Sequence, residues 1–184
     1  MNLYGTLGYY NQWYNPMHNY WNNNDWGNNY YHYYNRNWDW YNDSNLYGRN
    51  VLKDYGPNPL VININEATKQ NTNFRTALWT GNHLQVTLMS IPVGEDIGLE
   101  IHPDLDQFIR IEQGQGVVRM GKSKNNLDFQ ARVHDDFAFV IPAGTWHNLI
   151  NTDKLPLKLY SIYAPPQHPH GTVHKTKADA MAAE

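Results

Sequence analysis

Cysteine is absent from the 184 residues. The fold therefore uses no disulfide and no thiolate ligand, and any metal must be held by nitrogen and oxygen donors. Long apolar runs are also missing: no stretch approaches the roughly 20 residues that a bilayer-spanning helix requires. Nor is there an excess of one charge. Lys and Arg number 14 against 17 Asp and Glu, a net charge of −3, which offers no electrostatic case for nucleic acid or an anionic membrane as partner. The start, Met-Asn-Leu-Tyr-Gly-Thr-Leu-Gly-Tyr-Tyr, has neither the basic residues nor the apolar run of a secretory signal. The expected location is cytoplasmic.

Aliphatic side chains are scarce in residues 1–50, where most of the Tyr and Trp lie among a great excess of Asn. Runs such as Trp21-Asn-Asn-Asn-Asp-Trp26 and Tyr30-Tyr-His-Tyr-Tyr34 show no helical or strand period. Such a segment buries too little apolar surface to offset its ordering entropy, and polar–aromatic tracts of this kind tend to self-associate. Its only cationic side chains at neutral pH are Arg36 and Arg49, so it lacks the basic groove that single-stranded nucleic acid needs beside stacking aromatics. Residues 1–50 are expected to be a disordered or self-associating tail, and residues 51–184 a globular domain.

The globular part reads as all-β. Residues 74–80 and 83–91 flank a Gly81-Asn82 turn, and the second run alternates polar and apolar side chains as a half-buried strand does. Residues 107–113 and 117–121 form a predicted hairpin around Gly114-Gln-Gly116. Further strands are predicted over 129–133, 137–141, 146–151 and 157–163. Short strands at this spacing indicate a sandwich or small barrel. Helix is expected only over 65–70 and 177–184.

Two segments carry the chemistry. In the first, Glu100 and His102 are two apart and so share a strand face, and Gln107 follows a turn at Pro103-Asp-Leu-Asp106. In the second, His147 follows the bend Pro142-Ala-Gly144. Two imidazoles, a carboxylate and an amide suit Zn, Mn, Fe or Ni and leave positions for substrate. Asp106, Asn151, Tyr160, Tyr163, His170 and His174 are candidate cavity residues. The stretch from Ala164 to His174, rich in Pro and His, is expected to strap one end of the barrel or to pack on a partner subunit, with a second metal site at His168, His170 and His174 as the alternative. Arg75, Arg110 and Lys122 are the cations considered for a phosphate, with Arg110 placed on the outer face by alternation.

The order and spacing of these residues resemble the two motifs of the cupin superfamily. Gly94, position 100, His102, position 107 and Gly114 fall on the spacing of the first motif, and Pro142, Gly144, His147 and Asn151 on that of the second, whose leading Gly is here Asp136. The resemblance covers roughly residues 75–165. It implies a double-stranded β-helix, the cupin jelly-roll barrel, with short peripheral helices and commonly a homo-oligomer. Position 100 is Glu where most cupins have His, and position 107 is Gln where most have Glu. Phosphomannose isomerases, a cupin-fold branch, bind zinc with Gln-x-His, a Glu and a further His. The chain also resembles small bacterial cupins labelled mannose-6-phosphate isomerase. Three functions follow as expectations: a metal-dependent sugar-phosphate isomerase, an Fe or Ni cupin dioxygenase, or a structural cupin, such as a spore-coat component, assembling through its tail.

Overall fold

The computed structural model describes residues 51–183. The readings placed on residues 1–50, and their boundary with the globular part, lie outside the described residues. Among the described residues, nine strands and two short helices follow in order: α1 (Ile64–Gln70), β1 (Arg75–Thr80), β2 (Gln85–Ile91), β3 (Asp106–Gln113), β4 (Gln115–Gly121), β5 (Phe129–His134), β6 (Ala138–Ile141), β7 (Trp146–Asn151), β8 (Leu157–Ala164), β9 (Val173–His174) and α2 (Lys177–Ala182). Eight of the strands answer to predicted ones. The two-residue β9 was not predicted, because a pair of residues carries no period.

The strands form two antiparallel sheets, one ordered β6-β3-β8-β2-β1-β9 and the other β5-β4-β7. The smaller sheet is extended by residues 96–100, which bridge to β7 at Asp96–Ile150 and Glu100–His147. Register decides which side chains face the core. On the large sheet Ile111, Leu159 and Met89 stand side by side, as do Ile109, Ser161 and Thr87, and Gln107, Tyr163 and Gln85. The first row joins Val118, Met120, Val133 and Leu149 of the small sheet in the main apolar core. Below it the interior turns polar, and the site lies there.

The other face of the large sheet is covered by the chain before β1. Ala67 of α1, with Leu52, Tyr55, Leu60 and Ile62, packs on Leu78, Leu88, Val86 and Tyr160 in a second cluster. The Asn63 side chain caps α1 by accepting from the Glu66 amide at 3.2 Å. Glu112 shares the outer face with Arg110 by alternation, which on strand period alone would leave it in solvent. It is fully buried instead, bonded by the Asn65 amide nitrogen and paired with Arg110 at 3.1 Å, because α1 covers that face.

The second motif's departure from glycine has a structural reading. Asp136 adopts φ 69°, the left-handed region where a side chain is normally strained. Its carboxylate accepts from Arg110 at 2.6 Å, which holds the turn between β5 and β6.

Candidate metal centre

Glu100 and His102 lie on the segment entering β3, and His147 lies on β7. The Glu100 and His147 backbones exchange hydrogen bonds of 3.0 and 2.9 Å, which sets the two side chains side by side. The bend before β7 does what its sequence suggested: Gly144 has φ 70°, and its amide donates to the His102 carbonyl at 2.8 Å, closing the two motifs onto each other.

Ligand atoms of Glu100, His102 and His147 all lie within 4.8 Å of one another. Glu100 Oε1 is 3.2 Å from His147 Nε2 and 3.6 Å from His102 Nε2. Donors about 2.1 Å from one shared ion lie roughly 3.0–3.4 Å apart; the His147 separation falls in that range, and the His102 ring needs to move in by a few tenths of an ångström to share the ion. The tautomer of His147 points the same way. Its Nδ1 lies 3.0 Å from the Thr145 carbonyl, which can only accept, so Nδ1 carries the proton and Nε2 presents a lone pair. That lone pair faces a carboxylate oxygen, and the pairing is favourable only with a proton or a cation between them.

Two more atoms are buried without a hydrogen-bond partner: His102 Nε2 and Gln107 Oε1. Gln107 spends its amide nitrogen on Ser161 Oγ at 2.9 Å, which leaves the carbonyl oxygen as its only ligand atom. Leaving buried polar atoms unpaired is costly unless something else satisfies them. With no ion between them, burial pushes the Glu100 carboxyl up, but His102 and His147, when protonated on the nitrogens that face it, outweigh burial and hold it at about 2. The carboxylate is thus ionised across the working pH range, as a ligand must be. The residues fit a divalent cation held by Glu100, His102 and His147, with Gln107 as a weak fourth donor.

Residues 87–163 match the family model for the cupin domain. The chain is 72% identical over 144 residues to uncharacterized protein YrkC of Bacillus subtilis (strain 168), spanning 78% of this chain and 75% of that protein. The chain belongs to the cupin superfamily. This cupin is also 45% identical over 114 residues to uncharacterized protein L612 of Acanthamoeba polyphaga mimivirus, across 61% of its own length and 69% of that protein's. It superposes on the crystal structure of BH2720 from Bacillus halodurans with a TM-score of 0.70 and 70% identity, covering 71% of this chain and 98% of that one. The all-β cupin expectation therefore holds.

The cavity candidates of this cupin separate. Tyr163 is inside, buried, with its ring edge-on to His102 at 5.7 Å between centroids. Burial pushes its phenol up, Arg75 opposing and Glu100 adding, so it stays protonated. Tyr160 does not line the interior. Three residues along a strand reverse the face, and Tyr160 packs outside against Phe108 at 6.2 Å. His170 is also outside, exposed, bonded to the Gly56 carbonyl at 3.0 Å and 3.5 Å from Asp54. Asp106 is exposed and accepts from the Ala143 amide at 2.9 Å, a turn contact rather than a cavity one. Asn151 is buried but occupied: its amide donates to the carbonyls of Ile91, Pro92 and Leu155 at 2.9–3.1 Å. His174 is half-buried, its ring 6.5 Å from that of His168.

His168 and Ser161 were not expected beside the motif residues from sequence. Ser161 is found by alternation from Tyr163, two residues on. His168 has no local signal, because which histidine of the strap turns inward is decided by Gln85, far away in sequence.

Proposed function

We propose that this cupin is a divalent-metal enzyme acting on a small hydroxy-carbonyl compound, by aldose–ketose isomerisation of the mannose-6-phosphate type. The observation that carries the reading is the facing of the Glu100 carboxylate and the His147 lone pair at 3.2 Å, with unsatisfied His102 Nε2 and Gln107 Oε1 nearby. A bound divalent ion supplies Lewis-acid polarisation of a carbonyl or hydroxyl oxygen. Glu100, His102 and His147 hold the ion, and the Thr145 carbonyl fixes the His147 ring. Gln107 is oriented by Ser161. Tyr163, still protonated, offers a hydrogen-bond donor beside His102, suited to an oxygen that gains negative charge in an enediolate.

The test is exchange of the proton next to the carbonyl, on C2 of mannose 6-phosphate or C1 of fructose 6-phosphate, in deuterated solvent. Metal-loaded full-length protein is incubated with mannose 6-phosphate or fructose 6-phosphate and followed by proton NMR. Exchange that disappears in His102→Ala supports isomerisation. Silence with every metal tried, together with oxygen uptake by the Fe or Ni form, would replace it with the dioxygenase reading. We also propose a homo-oligomer, associated in part through residues 1–50. The support is their Asn, Tyr and Trp composition, which catalysis does not require, and a coat-associated role would use the same property.

A further inference from the structure

The strap after β8 brings basic side chains to one end of the interior. Its course is held by a reciprocal clamp: buried Gln85 donates its amide nitrogen to the His168 carbonyl at 2.8 Å and accepts from the His168 amide at 2.9 Å. Beyond it, β9 pairs with β1 so that His174 stands directly opposite Arg75. Side chains paired in this way share a face, a few ångströms apart. Arg75 in turn is opposite Met89, whose row faces the core, and only 1% of it is exposed. The His168 ring lies within 6.5 Å of the His174 ring, between centroids. Three basic side chains from three segments therefore meet at the strap end.

This patch adjoins the metal centre through one residue. Tyr163 presents its ring edge-on to His168 at 5.2 Å and to His102 at 5.7 Å. His168 Nε2 is buried with no hydrogen-bond partner, although a buried imidazole nitrogen normally has one. The charged and titratable groups facing His168 are Arg75 from β1, Glu100 and His102 from the segment entering β3, Tyr163 from β8 and His174 from β9. Burial, then Arg75, drive the imidazole down to about 3, with His174 and His102 adding to the fall and Glu100 acting the other way. Burial disfavours charge on the ring itself, and Arg75 beside it adds a fixed positive charge.

We infer that Arg75, His168 and His174 form an anion subsite next to the metal centre, and that the substrate carries a carboxylate or phosphate bound there while its reacting oxygen lies at Glu100, His102 and His147. The inference rests on the metal-centre reading for its catalytic sense, but anion binding at the strap end stands on its own residues. The guanidinium supplies charge and paired donors, and each imidazole supplies a ring N–H.

The test is calorimetric titration of metal-free full-length protein with inorganic phosphate and, separately, with acetate. Saturable binding is expected at one site per chain, weakened at least tenfold in His168→Gln and in Arg75→Gln. The tighter of the two anions identifies the substrate's group. Because Arg75→Gln removes a buried charge and risks misfolding, His168→Gln carries the decision, with its circular dichroism unchanged. No saturable binding of either anion, or wild-type affinity in a folded His168→Gln, would overturn the subsite. Zinc loading of the same samples separates the two readings: anion binding without zinc uptake keeps the subsite and removes the catalytic centre, whereas zinc uptake without anion binding does the reverse.

Discussion

At the scale of single residues, the site is a set of donors whose pairing is incomplete without a cation. Gln107 is the weakest donor and the most instructive to change. Gln107→Glu supplies a second carboxylate, and divalent-metal affinity is expected to rise at least tenfold by competition against a chelator. No change would mean that position 107 does not contact the ion. Glu100 makes a pH prediction. Its folded-state value, about 2, lies below the ordinary 4.5, so its stabilisation is fully present above about pH 4.5 and is lost as pH falls towards 2. A shift of this size corresponds to on the order of 3 kcal/mol. In metal-free protein, Glu100→Gln should flatten the fall of denaturant stability across that window, and an unaltered slope would show that Glu100 is not the responsible group.

The site's legibility followed from side-chain geometry. Glu100 and His102 were readable because a strand repeats every two residues, and His147 because the Pro142–Gly144 bend marks where a strand enters. Tyr160 was misplaced by the same rule left unapplied: it is three residues from Tyr163, so the two face opposite sides. The roles of His168 and His170 were not readable. They are two apart in a strap without a ladder of its own, and the choice between them is made by Gln85 and Asp54, about eighty and over a hundred residues away.

At the scale of elements, long-range side-chain clamps fix the loops that frame the interior. Asp54 accepts from Thr80 at 2.6 Å, from the Gly56 amide at 3.0 Å and from the Gly171 amide at 2.9 Å. It thereby ties the segment before α1, the end of β1 and the strap together. Asp54→Ala leaves those donors unmatched and is expected to lower stability by about 1–3 kcal/mol, with faster amide exchange over residues 170–174 as the specific sign. Asn151 plays the same part at the end of β7, joining the turn after β2 to the turn before β8. Asn151→Ala should destabilise by roughly 2–3 kcal/mol through several unpaired groups while leaving metal stoichiometry unchanged. Loss of metal together with stability would move Asn151 into the site. Strand positions were legible in the sequence to within a residue or two, because turns and alternation mark them. Burial of Glu112 was not, because it depends on α1 covering a face that alternation alone assigns to solvent.

At the scale of the whole molecule, a cupin barrel combines an apolar core between its sheets with a polar interior at the end where the motif residues meet. Among the described residues no helix is long and apolar enough to cross a membrane. Deletion of residues 1–50 tests the self-association proposal: the number of chains per assembly should fall while metal content per chain stays constant. An equal number of chains with and without the segment would remove its role in assembly. The central claim, that Glu100, His102 and His147 hold a divalent ion, is tested most directly by metal stoichiometry. Full-length protein is loaded with zinc or manganese, desalted and analysed by mass spectrometry of the elements, beside a His102→Ala/His147→Ala double variant of unchanged fold. The account predicts close to one ion per chain in the wild type and close to none in the variant. A wild type that retains no ion, or a variant that retains as much, would contradict it.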